Sequence, residues 1–298
     1  MEKNEIIEKG EKKKDILLPK NDIVFQTLFS RGKESITKAL LEDILKIKIH
    51  KLDLDKSKDL LNDNKEDKNG RLDLRAVINE DIECDIEIQL ATHKKILERF
   101  LYYWAKMYVA NLKIGERYEN LRKTISIIIV DENIEQLREI EKACTKWRIT
   151  EEKYKNKILT DYFQVVIIEL PKAIKEYEVN KKDEMLQWMM FLENPEGMEV
   201  AKIMEENKDI KEAKEELDRI SQDDLVRRRI LRAELERMDM EQIKEDTREE
   251  TAIEIAKRMI QEKMSIDVIV KITQLSEKEV KAVSYTHLRA HETTLHLV

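Results

Sequence analysis

Glycine and proline are scarce in this chain, with 5 and 3 among 298 residues. A sequence so short of the residues that permit or force turns, and with 40% of its residues charged, reads as long solvated helices joined by short links. Cysteine is scarcer still. Cys84 and Cys144 lie far apart without Cys-x-x-Cys spacing, which excludes a zinc ribbon and a disulfide framework and leaves Cys84 as a small core residue. No run of about 18 apolar residues occurs, and the Lys/Glu-rich N-terminus has no apolar segment behind it. Neither a membrane span nor a signal peptide is expected, and the protein is expected to be soluble and cytoplasmic.

What is present is enough apolar matter, 41% of the residues, for one large or two modest domains with a real core. Charge is unevenly spread. Residues 1–130 hold 26 Lys and Arg against 24 Asp and Glu, leaving 30 against 39 for the remainder, so the net charge of -7 belongs to the C-terminal part. That balance weighs against tight nonspecific binding to nucleic acid, yet phosphate contacts need only a local basic patch.

The most informative stretch runs from Gly70 to Leu90, two alternating runs around a short polar turn. Leu72, Leu74, Ala76 and Ile78 share one strand face while Asp73, Arg75 and Val77 share the other; Ile82, Cys84, Ile86, Ile88 and Leu90 alternate with Glu83, Asp85, Glu87 and Gln89. If Asn79, Glu80 and Asp81 form the loop, pairing is symmetric about position 80 and sets Asp73 opposite Glu87. Opposed residues lie about 5 Å apart at Cβ, where two carboxylates repel unless a cation lies between them, and a hard divalent ion suits such a pair. The plainer alternative is a half-exposed hairpin with solvated charges.

The remaining chain is mostly helical in pattern. Residues 1–15 read as a mobile leader. Asn21 to Phe29 carries apolar residues at helical spacing behind an Asn21 or Asp22 cap, and a second helix spans Ser35 to Leu45. Ile47 to Leu54 alternates as a first strand; 55–69 is a polar loop. Lys95 to Ile114 is an amphipathic helix with Ile96, Phe100, Leu101, Trp104, Met107, Tyr108 and Leu112 as its core stripe. The β-branched runs at 123–130 and 163–170 are buried strands, giving a mixed sheet covered by helices. The charged connection between them carries Trp147 and Tyr154 as partly docked residues. From Pro171 onward all is helix, including 183–192 and a long charged helix opened by a capping box at Ser221 to Asp224. Arg227, Arg228 and Arg229 read as a solvated face. Two short helices follow over 265–283, the second opened by the capping box of Ser276 and Glu279; they resemble a helix-turn-helix in size and turn, and a self-association or packing module is favoured over a base-reading one. His287, His291 and His296 fall in a tail, 285–298, that resembles translated adapter read-through and is expected to be non-native.

The order of elements and five segments, Pro19 to Phe29, Asp73 to Ala76, Ile86 to Gln89, Arg99 to Tyr103 and Gly115 to Leu121, resemble the recombination-promoting nuclease / putative transposase (Rpn) family of the PD-(D/E)XK nuclease superfamily. The resemblance implies an α/β fold: a restriction-endonuclease-like αβββαβ core over 16–172, then an all-α extension over 173–264 and the helical pair at 265–284. It implies a Mg²⁺- or Mn²⁺-dependent DNA endonuclease tied to recombination or transposition, with Asp73 and Glu87 as metal ligands and catalytic residues. Gln89, a third catalytic candidate, stands where many superfamily members have Lys. Asp22, Arg75, Arg99 and Tyr103 are candidates for supporting the carboxylates or touching phosphate. DNA is the implied partner, and the C-terminal helices are expected to support a homo-oligomer. A nuclease-derived module that binds DNA or protein without cutting stays open as the alternative.

Overall fold

The computed structural model describes residues 15–55, 74–90 and 94–285. Its described part forms two compact units, Met1–Arg227 and Arg228–Val298. The sequence reading set a boundary at 172/173. The first unit carries the sheet and the four helices that follow its last strand.

Three strands, β1 (Leu52–Leu54), β2 (Leu74–Ile78) and β3 (Ile82–Gln89), form an antiparallel meander. Parallel strands β4 (Lys123–Val130) and β6 (Phe163–Glu169) follow beside β3, and β5 (Cys144–Trp147) pairs antiparallel at the far edge, so the order is β1-β2-β3-β4-β6-β5. This is the expected mixed α/β sheet. The turn is as read from the sequence: Ile78 pairs Ile82 and Leu74 pairs Ile86, symmetric about position 80. Asn79 and Glu80 take positive φ, and the Asn79 amide fixes the turn by accepting from His50 and Lys51 N–H and donating to the Lys48 carbonyl.

One sheet face is apolar. Leu74, Ala76, Ile78, Cys84, Ile86 and Ile88 are buried there, and α1 (Asp22–Gln26) with its π-helical continuation Thr27–Arg31 packs on β3 and β2, while α2 (Glu34–Leu45) packs on β1. Asn21 is the cap, its Oδ1 accepting from Ile23 and Val24 N–H. The π segment ends at Gly32, where a Cβ would lie 2.1 Å from the Leu28 carbonyl oxygen, so only glycine closes this turn. The other face is covered by α3 (Ile96–Ala110), whose Ile96 and Phe100 join Ile128, Val130, Val165 and Ile167 in a second core cluster.

Four further helices complete the unit: α4 (Leu170–Val179), α5 (Glu184–Glu193), α6 (Met198–Glu206) and α7 (Lys208–Gln222). Pro171 sits in the first turn of α4, where its missing N–H costs nothing. Fully buried Trp188 of α5 packs edge-on against Phe29 and donates its Nε1–H to Asp43 (2.8 Å).

Several local expectations change. The first strand is only three residues long, because Lys46 takes the left-handed conformation and the following backbone is held by Asn79. Leu101 is 51% exposed and leaves the core stripe. Tyr154 is exposed, and the connection expected to dock loosely contains the edge strand β5. Ser221 is no cap: it closes α7 and its Oγ accepts from Leu17 N–H, while Asp223 caps the next helix through Leu225 N–H (2.8 Å).

That next helix, α8 (Asp224–Gln261), supplies the second unit's first element, followed by α9 (Ile266–Thr273) and a helical stretch over 277–285. Ala256, Ile269, Leu275, Val280 and Val283 form its core. The Ser276–Glu279 capping box is present in both directions, at 2.6 and 3.2 Å. The 286–298 tail, with its three histidines, lies outside the described residues.

Candidate active site

The side chains of Glu83, Asp85, Glu87 and Gln89 project from the same face of β3, because strand side chains alternate. Period 2 suggested a solvated face, but α3 covers it and all three carboxylates are buried. Each needs a partner, and each partner comes from a different element. Glu83 receives Arg75 Nε at 2.5 Å and Arg122 Nη1 at 3.3 Å. Asp85 accepts from Ser126 Oγ of β4 at 2.6 Å. Glu87 accepts from Arg99 Nη2 of α3 at 3.0 Å.

Asp85 is the most strained of the three. Burial pushes its carboxyl up to about 7; the Ser126 hydroxyl opposes this and neighbouring Glu87 adds to it. Burial also raises Glu87, against the pull of Arg99. Arg99 in turn lies over the Tyr103 ring, 5.2 Å from its centroid, and its Nε is buried without a hydrogen-bond partner.

Of the residues singled out from sequence, Glu87, Arg99 and Tyr103 are brought together, and Gln89 is half-buried two positions along the same strand face. Asp73 lies outside the described residues. Arg75 serves Glu83 and lines a cleft of about 560 Å³ with Arg122, Asn111, Asn120 and Lys113, toward the other end of the strand from Glu87. Asp22 is exposed in the first turn of α1, where it accepts from Ile23 N–H.

Sequence reasoning missed Asp85, Glu83 and Ser126, whose only signal was polar residues within runs that prove buried on both sides. It also missed Lys20. Its ammonium joins Asp131 (3.0 Å) and Glu193 (2.9 Å), and Asp131 N–H donates to the Gln89 carbonyl, which places a cation beside the end of β3. Burial works against that charge, but Glu193 and Asp131 outweigh it and raise the Lys20 pKa.

Among the described residues no three His, Cys, Asp or Glu side chains are grouped to hold a metal. The donor chemistry of Glu87 does fit a hard cation: a buried carboxylate, its pKa raised by burial, that meets a guanidinium with a donor left unsatisfied.

A mixed sheet with an acidic hairpin strand, flanked by helices on both faces, is the architecture of a PD-(D/E)XK core. A family model described as PD-(D/E)XK nuclease family transposase matches residues 19–247, and one described as Rpn/YhgA-like nuclease family, C-terminal HTH domain, matches residues 249–284. The chain belongs to the PD-(D/E)XK nuclease family of transposase-like proteins, in its Rpn branch. No curated protein and no solved structure matched it. The second match takes in the last turns of α8 together with α9 and 277–284, a three-helix module larger than the pair read from sequence.

Proposed function

We propose that the protein is a divalent-metal-dependent DNA endonuclease that hydrolyses phosphodiester bonds during recombination or transposition. The observation that carries this reading is Glu87, a buried carboxylate at the end of β3, inside the matched nuclease region and beside a guanidinium suited to phosphate. Asp73 and Glu87 would hold Mg²⁺ or Mn²⁺, and the bound cation would supply an activated water and offset charge at the scissile phosphate.

Gln89, Arg99 and Tyr103 each take a role from their positions. Gln89 orients water through its amide, which cannot act as the general base a lysine could be. Arg99 offsets the Glu87 charge in the absence of a cation and would be released by one to meet a phosphate approaching Glu87. Tyr103 lies beneath that guanidinium, its ring centroid 5.2 Å from Cζ. Asp22 and Arg75 are left without a catalytic part. The helix-turn-helix module is assigned to DNA binding, and Leu231, Leu235 and Met238, exposed at coiled-coil spacing on α8, are assigned to self-association. The working compartment is the cytoplasm.

Supercoiled plasmid and purified full-length protein provide the test. Nicking that requires Mg²⁺ or Mn²⁺, stops with chelator and disappears in Glu87→Ala and Asp73→Ala supports the assignment. Cleavage that persists in both variants places the nuclease elsewhere or in a contaminant. A second reading, a nuclease-derived binding module, is favoured by Gln89 in the lysine position, and DNA binding without cleavage at any divalent ion would establish it in place of the first.

A further inference from the structure

The outer side of α3 carries two side chains, Tyr102 and Lys106, that neither packing nor the catalytic reading uses. While Phe100 and Met107 face inward, Tyr102 is 57% exposed, with the Lys106 ammonium over its ring at 5.6 Å from the centroid. The Tyr103 ring lies 5.8 Å from that of Tyr102, tilted by 58°, and Arg99 lies over Tyr103 and on Glu87. The groups form a file in which every step is under 6 Å: carboxylate, guanidinium, ring, ring, ammonium. Charge along this stretch is locally positive. Over 94–110 there are four cations, Lys94, Lys95, Arg99 and Lys106, against the single carboxylate of Glu98, in a protein whose net charge is -7.

An exposed aromatic flanked by cations is the combination that holds single-stranded nucleic acid: rings stack on bases whatever their identity, and cations track the backbone. A protein-docking face of this size would more usually be depleted in lysine. Continuity with Glu87 fixes where such a base would lie, next to the bond to be cut. We infer that Tyr102, with Lys106 and Tyr103, is a stacking platform for an unpaired nucleobase flanking the scissile phosphate, so that the enzyme acts on single-stranded or locally opened DNA. This rests on the nuclease reading for its location, though stacking itself is measurable without cleavage.

The experiment measures fluorescence anisotropy of a labelled 20-nucleotide single strand and of the matching blunt duplex, with full-length protein in Ca²⁺ or chelator so that nothing is cut. Tyr102→Ala is expected to weaken single-strand binding by about 5- to 100-fold, the range for losing one base stack. Tyr102→Trp should restore it, and Lys106→Gln should flatten its salt dependence. Duplex affinity, to which the helix-turn-helix module contributes, should change less than about 3-fold. Unchanged single-strand binding in Tyr102→Ala, or an equal loss for single strand and duplex, overturns the platform. A dimer that becomes monomeric in Tyr102→Ala with DNA binding intact overturns it too and makes this face a protein interface. Wild-type protein that binds no single strand removes it outright. Mg²⁺-dependent cleavage is scored separately, so an inert nuclease that still stacks on Tyr102, or an active one that does not, tells the two ideas apart.

Discussion

Replacing Asp85 by Asn should make the metal-free protein more stable at pH 8, although it removes a buried charged partner of Ser126. Asp85 is fully enclosed, and burial lifts its carboxyl from the ordinary 3.8 to about 7. A raised carboxyl means that the folded state binds its proton more tightly than the unfolded chain does. The contribution is then fully present below about pH 4 and is lost as pH rises through about 7. At about 1.4 kcal/mol for each pH unit, the interval from 3.8 to about 7 corresponds to roughly 4 kcal/mol, as an upper figure. Asn keeps an oxygen to accept from Ser126 Oγ and carries no charge to desolvate. Urea unfolding between pH 4 and 9, in chelator, followed by tryptophan fluorescence, is the assay; Trp104, Trp147 and Trp188 all report on the first unit. Wild type should lose stability across pH 4–7 with a slope that Asp85→Asn largely lacks, the variant leading by about 2–4 kcal/mol at pH 8. Burial raises Glu87 in both proteins, so the difference between them reports Asp85 together with its coupling to Glu87. A variant that is less stable at pH 8, or whose pH profile overlays wild type, refutes the reasoning.

Three more outcomes can be measured on the same protein. Arg99→Gln removes the cation that shares Glu87 (3.0 Å), so Mn²⁺ affinity by calorimetry should rise several-fold while turnover falls; weaker metal binding would make Arg99 a supporter of the site and not a competitor. Gln89→Ala should cut turnover by about 10- to 1,000-fold with little change in metal affinity, as expected for one preorganised polar contact, and full activity in that variant would remove Gln89 from the chemistry. Gly32→Ala forces a Cβ against the Leu28 carbonyl, and its urea midpoint should report a loss of about 1–3 kcal/mol; a loss below about 0.5 kcal/mol would mean that the π turn can relax.

Where the sequence was legible, one local rule decided the outcome. The hairpin register follows from strand alternation and a three-residue turn, and a slip of one residue would have turned Ile86 and Ile88 away from the core. The capping box at Ser276 and the strand at 123–130 were likewise local. What stayed hidden depended on partners far away in sequence. Alternation shows that Glu83 and Asp85 share a face, but only Arg122, Ser126 and the cover of α3 show that this face is dry. Leu101 fits the helical stripe by spacing yet is half exposed. Lys20 looked like one lysine among many until Asp131 and Glu193 closed around it. The proposed metal site was the least legible part, since Asp73 lies outside the described residues and only Glu87 is seen in place.

The most direct test of that site is Mn²⁺ binding to full-length protein in the absence of DNA, measured by calorimetry for wild type and Glu87→Gln. Gln preserves the side-chain shape and an oxygen to accept from Arg99, so circular dichroism and the thermal midpoint should be kept. The account predicts saturable Mn²⁺ binding in wild type and its loss, or a weakening of at least about 10-fold, in Glu87→Gln. Equal stoichiometry and affinity in the two proteins would contradict it.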